Sequence, residues 1–166
     1  MIDFRTCREW IFGLRNKEYD NIFMNKINYL FRESKKSNCI VSDTTRFVKN
    51  SEAEMIKYFR NCYLALKVSF CNELYDYCSN RDIDYETVRN IATNDTRIGG
   101  SHTKVPGHDG SRGYGGTCFP KDTKALLNSM KDNNVICPIL SSVDYRNDNI
   151  DRKEHDWLDN IGRSVI

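Results

Sequence analysis

The longest regular pattern of apolar and polar positions begins at Ser51, where SEAEMIKYFRNCYLALKVSFCNELYDYCSN runs without Gly or Pro. Met55, Ile56, Phe59, Tyr63, Leu66, Phe70, Leu74 and Tyr77 fall on one broad helical band. Ser51 and Glu54 fit a capping box at its start, each side chain satisfying an orphan backbone donor near the other. Nearly thirty residues predict a helix of roughly 40 Å, against a usual length of ~11–12 residues. A helix with that much apolar surface needs several neighbours, and a second subunit is one source.

Residues 1 to about 45 read as a helix followed by a short strand. Ile22, Phe23, Ile27, Leu30 and Phe31 give an apolar stripe, KKSN ends it, and CIVSD is a brief β-prone run. One helix and one strand enclose no core, so this piece looks like the end of a larger α/β unit. After the long helix, Asp84 is a good N-cap for a helix carrying Val88, Ile91 and Ala92.

The pattern then stops. Seven of the nine glycines lie in GGSHTKVPGHDGSRGYGG, residues 99–116, where backbone can approach a ligand closely. A loop of this length is expected to be functional or disordered, and the reactive residues that follow favour an ordered, functional one. Helix resumes at Pro120 with PKDTKALLNSMKDN. A last, weakly amphipathic helix is expected from about Ile139 to Ile161.

Composition narrows the function classes. A net charge of +2 and an even spread of charge lack the basic stripe and the pI above roughly 9 of a nucleic-acid binder. Lys35 and Lys36 read as a solvated loop pair. No stretch approaches the ~18 apolar residues of a membrane span, and the charged N-terminus is unlike a signal peptide. The seven cysteines are odd in number and form no CxxC, so reduced thiols in a cytoplasmic protein are expected, without a metal site.

One of those thiols stands apart. In GYGGTCFPKD, Cys118 falls where a helix begins, and a helix N-terminus favours an anion. Lys121 adds a cation one turn away, and both effects favour the thiolate, the nucleophilic form. Gly115 and Gly116 leave room beside it for a substrate. The alternative is a buried structural cysteine, as expected for the other six. Lys57 and Asn61 share a helix face and together could hold an oxyanion or a sugar hydroxyl; taken alone, the pair reads more simply as a solvated face. Arg97 could bind phosphate or simply sit at the surface. His102, His108 and His155 have no evident catalytic partner.

EMIKYFRNCYLALKVSFCNELYDYC, VRNIATNDTRIG and GYGGTCFPKDTKALL, in that order and spacing, resemble the UDP-glucose/GDP-mannose dehydrogenases over residues 40 to 150. CFPKD is most similar to the UDP-glucose 6-dehydrogenase branch. The resemblance implies a mainly α chain built on the long helix of that family's dimerisation domain, with a short α/β remnant at its start. Residues 1–45 would be the end of an NAD-binding α/β domain. Residues 46–166 would be the central helical domain and the start of a linker to a C-terminal nucleotide-binding domain absent from the chain.

The implied activity is NAD-dependent oxidation of a UDP-sugar alcohol to its carboxylate, UDP-glucose to UDP-glucuronate. It runs through a cysteine thiohemiacetal and thioester, which splits a hard oxidation into easier stages. Cys118 would be the nucleophile, Lys57 and Asn61 would stabilise charge on oxygen, and Asp122 would assist water and proton transfer. Lys121 would adjoin the cofactor. Arg97 would reach the sugar nucleotide of a neighbouring subunit in a homodimer, and Tyr114 and Gly115 would touch substrate.

The family's GxGxxG turn after a first strand is missing from this sequence, and the VPGHDG insert lengthens the loop. The expectation is therefore a truncated dehydrogenase, inactive alone and complemented by a polypeptide that carries the NAD domain. The alternative is a non-catalytic dimerisation or sugar-nucleotide-binding relic.

Overall fold

The computed structural model describes residues 4–15 and 20–160, which fall into two compact units, 1–57 and 58–166. Among the described residues the chain is mainly helical with one short parallel pair of strands, the fold class expected.

In the first unit β1 (Trp10–Leu14) pairs with β2 (Thr45–Lys49), Trp10 opposite Thr45 and Leu14 opposite Lys49. Parallel strands need a crossover, and α1 (Asn21–Lys36) provides it. Phe31 is the buried residue of α1; its ring lies 4.9 Å from Trp10 and 5.5 Å from Phe12, which stacks on Phe47. Ile22, Phe23 and Leu30 stay exposed, because two strands offer too little surface to cover the stripe.

Two expectations fail here. CIVSD is not the strand: Ile40 is buried, but the polar groups that follow it are used locally. The Ser42 carbonyl accepts from Trp10 Nε1, and Asp43 pairs with Lys35. Pairing starts two residues later, at Thr45. The strand β1 was also not anticipated, since WIFGL is a five-residue apolar run whose partner lies 35 positions away.

α2 (Asn50–Asn80) is the long helix, 31 residues, about 46 Å. It starts one residue before the expected capping box. Glu52 at N3 reaches back to the Lys49 N–H at 2.8 Å, which replaces the expected Ser51–Glu54 pairing. Its buried positions in the second unit are mostly small: Cys62, Ala65, Ser69, Cys71, Asn72 and Cys78. Five large residues point the other way, with Phe59 72% and Phe70 57% exposed, and Tyr63, Leu74 and Tyr77 also outside.

α3 (Tyr85–Ala92) starts as expected, the Asp84 carboxylate accepting from the Glu86 N–H. After an irregular stretch come α4 (Phe119–Asp132) and α5 (Pro138–Arg146). Ala65, Tyr114 and Val143 form a core, with Leu66, Val68 and Phe119 packed around it. The last helix is shorter than expected. It widens to a π turn at Asn147–Asp151 and breaks at Arg152, leaving a 3-10 turn at Asp156–Asn160. The break follows from side chains: Asn147, Asp151 and Arg152 all turn inward and are buried. Ile161, the expected end, lies outside the described residues. Among the described residues no helix is long and apolar enough to cross a membrane.

Candidate active site around Cys118

Cys118 is the N-cap residue of α4 and is exposed. Its carbonyl accepts the Asp122 N–H at 2.9 Å, the first bond of the helix. Its sulfur lies 3.9 Å from the Thr117 hydroxyl. Pro120 occupies the first turn, where a missing N–H costs nothing. Pro120, Thr123, Leu126 and Leu127 seat α4 in the core, which leaves its N-terminus at the surface.

Asp122 lies one turn into α4, on the buried side, 1% exposed. A buried carboxylate is costly unless it is hydrogen-bonded and paired. Asn61 Nδ2 donates to Oδ2 at 2.6 Å and Lys121 Nζ lies 3.0 Å from Oδ1. Asn61 comes from α2, and Lys57 sits exposed one turn before it on the same helix. Four expected residues, Cys118, Lys121, Asp122 and Asn61, therefore gather at the start of α4.

The neighbouring thiol is a different case. Cys62 Sγ faces the Asp122 backbone carbonyl at 3.7 Å and is buried. Burial pushes the Cys62 thiol up, Thr123 opposes the shift, and the Asp122 charge adds to it. Cys62 remains a protonated core thiol while Cys118 faces solvent.

The other expected residues lie apart from this group. Arg97 is 88% exposed and grips Asp95, Nη2 to Oδ2 at 2.6 Å and Nε to Oδ1 at 3.0 Å. Lys67 of α2 holds that loop by donating to the Ile98 and Gly99 carbonyls, 2.7 Å each. The Tyr114 ring is a core residue, 4% exposed, and does not offer itself to a ligand. Burial drives its phenol well above the ordinary range, with nearby Asp144 reinforcing this and Thr123 opposing it.

The glycine-rich loop is ordered by a polar clasp that was not anticipated. Arg112 bonds Asn72 Oδ1 at 3.2 Å and pairs with Asp76 at 2.7 Å and Asp151 at 2.8 Å. Arg146 pairs with the same two carboxylates at 2.6 and 2.9 Å. Asn147, fully buried, accepts the Tyr114 N–H at 2.7 Å. Gly113 has φ +64°, and a Cβ there would lie 2.5 Å from Asn147 Oδ1, so glycine is needed twice over. In sequence, VDYRNDNIDR reads as a mixed-charge solvated helix; nothing in its spacing marks the residues that turn inward.

Residues 51–149 match the model of the UDP-glucose/GDP-mannose dehydrogenase family, central domain. The chain belongs to that family. It is 43% identical over 96 residues to a UDP-glucose 6-dehydrogenase of Pseudomonas aeruginosa, covering 58% of the chain and 20% of that enzyme. It is 32% identical over 141 residues to a UDP-glucose 6-dehydrogenase of Rickettsia felis, covering 85% of the chain and 29% of the enzyme. The solved structure of a UDP-glucose dehydrogenase from Pyrobaculum islandicum superposes with a TM-score of 0.66 at 26% identity, again over 85% of the chain and 29% of that protein. The chain thus spans less than a third of the length of these relatives.

Proposed function

We propose that the chain carries the sulfur chemistry of a nucleotide-sugar dehydrogenase that oxidises UDP-glucose to UDP-glucuronate. The carrying observation is an exposed thiol at the N-cap of α4 with a buried, hydrogen-bonded carboxylate one turn on. Cys118 Sγ adds to the C6 aldehyde; a C–S bond forms and the carbonyl electron pair moves to oxygen. Asn61 and Lys57 are the donors assigned to that oxygen, acting as preorganised charge stabilisers. Once that carbon is at the thioester level, water adds, the C–S bond breaks, and Asp122 takes the water's proton. Lys121, paired with Asp122, is assigned to the meeting point of cofactor and substrate. Arg97 and the Gly115 turn are assigned to the sugar nucleotide, Arg97 to that of a neighbouring subunit, whereas Tyr114 contributes through the core.

NAD supplies the hydride acceptor in this reading. The residues present do not fit it: the β1-to-α1 connection, RNKEYD, has no glycine, and Asp20 makes no capping bond at α1. A dinucleotide needs backbone close to its pyrophosphate. No NAD site is therefore assigned to the described residues, and the hydride step in this reading draws on an NAD domain outside them. The exposed band of α2 supports a homodimer, in the cytoplasm where the free thiols stay reduced. That band also favours the second reading, a non-catalytic dimerisation module.

Thermal unfolding with UDP-glucose and with NAD, added separately, tests the proposal. UDP-glucose at 100 times its Kd should stabilise by about 2.7 kcal/mol and NAD should have no effect. With a complementing NAD-domain protein, Cys118→Ser should abolish NADH formation. No shift with millimolar UDP-glucose would leave only the dimerisation module, and unchanged turnover in Cys118→Ser would discard the covalent step.

A further inference from the structure

The turn that delivers Cys118 rests on a buried cation. Arg152 is 4% exposed, and its Nη1 lies 2.8 Å from Asp109 Oδ2. Its other edge grips Asp156, Nη2 to Oδ2 at 2.5 Å and Nε to Oδ1 at 2.7 Å. Gly115 lies directly on the guanidinium: a Cβ there would sit 2.6 Å from Nη2 and 2.7 Å from Nε. A flexible arginine would swing away from such a contact, but this one is held at both ends by carboxylates. Both carboxylates are only partly buried, so the guanidinium is the member of the trio placed inside. Burial of a cation is costly even when it is paired, and a loop could be closed by the same ion pairs at the surface. What the interior position adds is a flat, fixed plate against the peptide three residues before the thiol.

We propose that Arg152 is a positioning residue for Cys118: clamped by Asp109 and Asp156, its guanidinium is the plate on which Gly115 lies, and the plate sets where the turn 113–116 presents the sulfur. Gly115 is glycine because any side chain would push the turn off that plate. The role of Arg152 in catalysis rests on the assignment of Cys118 as nucleophile, but its geometry can be read with neither substrate nor cofactor.

The test is a double-mutant cycle of Gly115→Ala and Arg152→Ala in the full chain. It is read by amide hydrogen exchange of residues 113–118 and by the iodoacetamide rate at Cys118, with exposed Cys39 as internal reference. Arg152→Ala should speed exchange in 113–118 by about tenfold and leave α3 unchanged. It should alter the Cys118 rate by about threefold or more relative to Cys39, since small misplacements of a reacting atom change rates steeply. Gly115→Ala should do the same alone and add nothing in the Arg152→Ala background. Arg152→Lys keeps the charge without the planar fork; it should recover the melting temperature but not the Cys118 rate.

Additive effects in the cycle, or a Cys118 rate unmoved in folded Arg152→Ala, would overturn the positioning role. If Arg152→Ala does not fold, Asp109→Asn and Asp156→Asn, each loosening one end of the clamp, should move the same two readouts in smaller steps; no movement in either would overturn it equally. A positive cycle without UDP-glucose binding would leave the positioning role standing and remove the dehydrogenase reading alone.

Discussion

Asn147→Ala isolates one buried hydrogen bond in the clasp. Asn147 is fully buried, and its Oδ1 accepts the Tyr114 N–H at 2.7 Å. Truncation leaves that N–H buried with no acceptor, which costs about 1–3 kcal/mol. Among the described residues Asn147 Nδ2 has no hydrogen-bond partner, so removing it recovers part of the cost of burying it. The lost side-chain volume pulls the other way, through a small cavity between α5 and the turn. The balance places the expected loss near 2 kcal/mol, about a thirty-fold change in the unfolding equilibrium. The assay is urea unfolding followed by Trp157 fluorescence, since Trp157 is 3% exposed in the second unit. A Trp10→Phe background leaves it the sole tryptophan, as the chain has two. The midpoint should fall with an unchanged urea dependence. A loss below about 0.5 kcal/mol, the range of an ordinary surface change, would refute the reasoning.

The Arg152 clamp should weaken in acid. Arg152 holds Asp156 below the usual carboxylate range; burial pushes Asp109 up, but the bond and charge of Arg152 and the Ser111 N–H together outweigh this and hold it low as well. A carboxyl depressed in the folded state stabilises above its unfolded pKa, near ~3.9, and that contribution is lost as pH falls through the folded value. Unfolding free energy should therefore drop as pH is lowered from about 5 to 3, and Arg152→Ala should flatten the drop; an equal slope in both would refute the linkage. Asp151, raised chiefly by burial against the pull of Arg146 and Arg112, acts in the opposite sense, its contribution being lost as pH rises. Separately, Tyr63→Glu should convert a homodimer to monomer by sedimentation velocity without lowering the second unit's stability, because Tyr63 is exposed in the single chain. A mass unchanged by the substitution would remove the α2 band as the contact.

The parts of the fold legible in the sequence are those written within one element. Asp84 as a cap needs only its neighbour two residues on, and Pro120 opening α4 needs only its own ring; both hold. The long helix is equally clear, since thirty residues without Gly or Pro leave little else. Which side of it faces inward was not legible. Apolar size points to Phe59, Tyr63 and Phe70, and the chain buries Ala65, Ser69 and Asn72 instead. Strand β1 was missed for a related reason: its partner is set by a crossover, which no local pattern records. At the site, Cys118 and Lys121 could be read from a single turn of helix and Asn61 from a helix face shared with Lys57, whereas Asp122 came from the family pattern. Arg152 and Asn147 could not, because an Asn and an Arg among aspartates look solvated until a helix break turns them inward.

The inverted face of α2 follows from what Asn61 has to reach. Asn61 and Asp122 are short side chains, yet their polar atoms lie 2.6 Å apart, so the two backbones must come close at that point. Cys62 Sγ against the Asp122 backbone carbonyl, at 3.7 Å, requires the same approach. Bulky residues at the inward positions would hold the helices at the wider end of the 8–10 Å range of interaxial distances and break that contact. Small residues at Cys62, Ala65 and Ser69 permit it, and the large apolar residues are displaced to the opposite side of the helix. An exposed row containing Phe59, Tyr63, Phe70, Leu74 and Tyr77 is more than single surface residues would need explaining. The apolar band that invites a second subunit is thus the geometric counterpart of the carboxylate held by Asn61, and a substitution that enlarges Ala65 should disturb the Asn61–Asp122 contact while leaving the outer band intact.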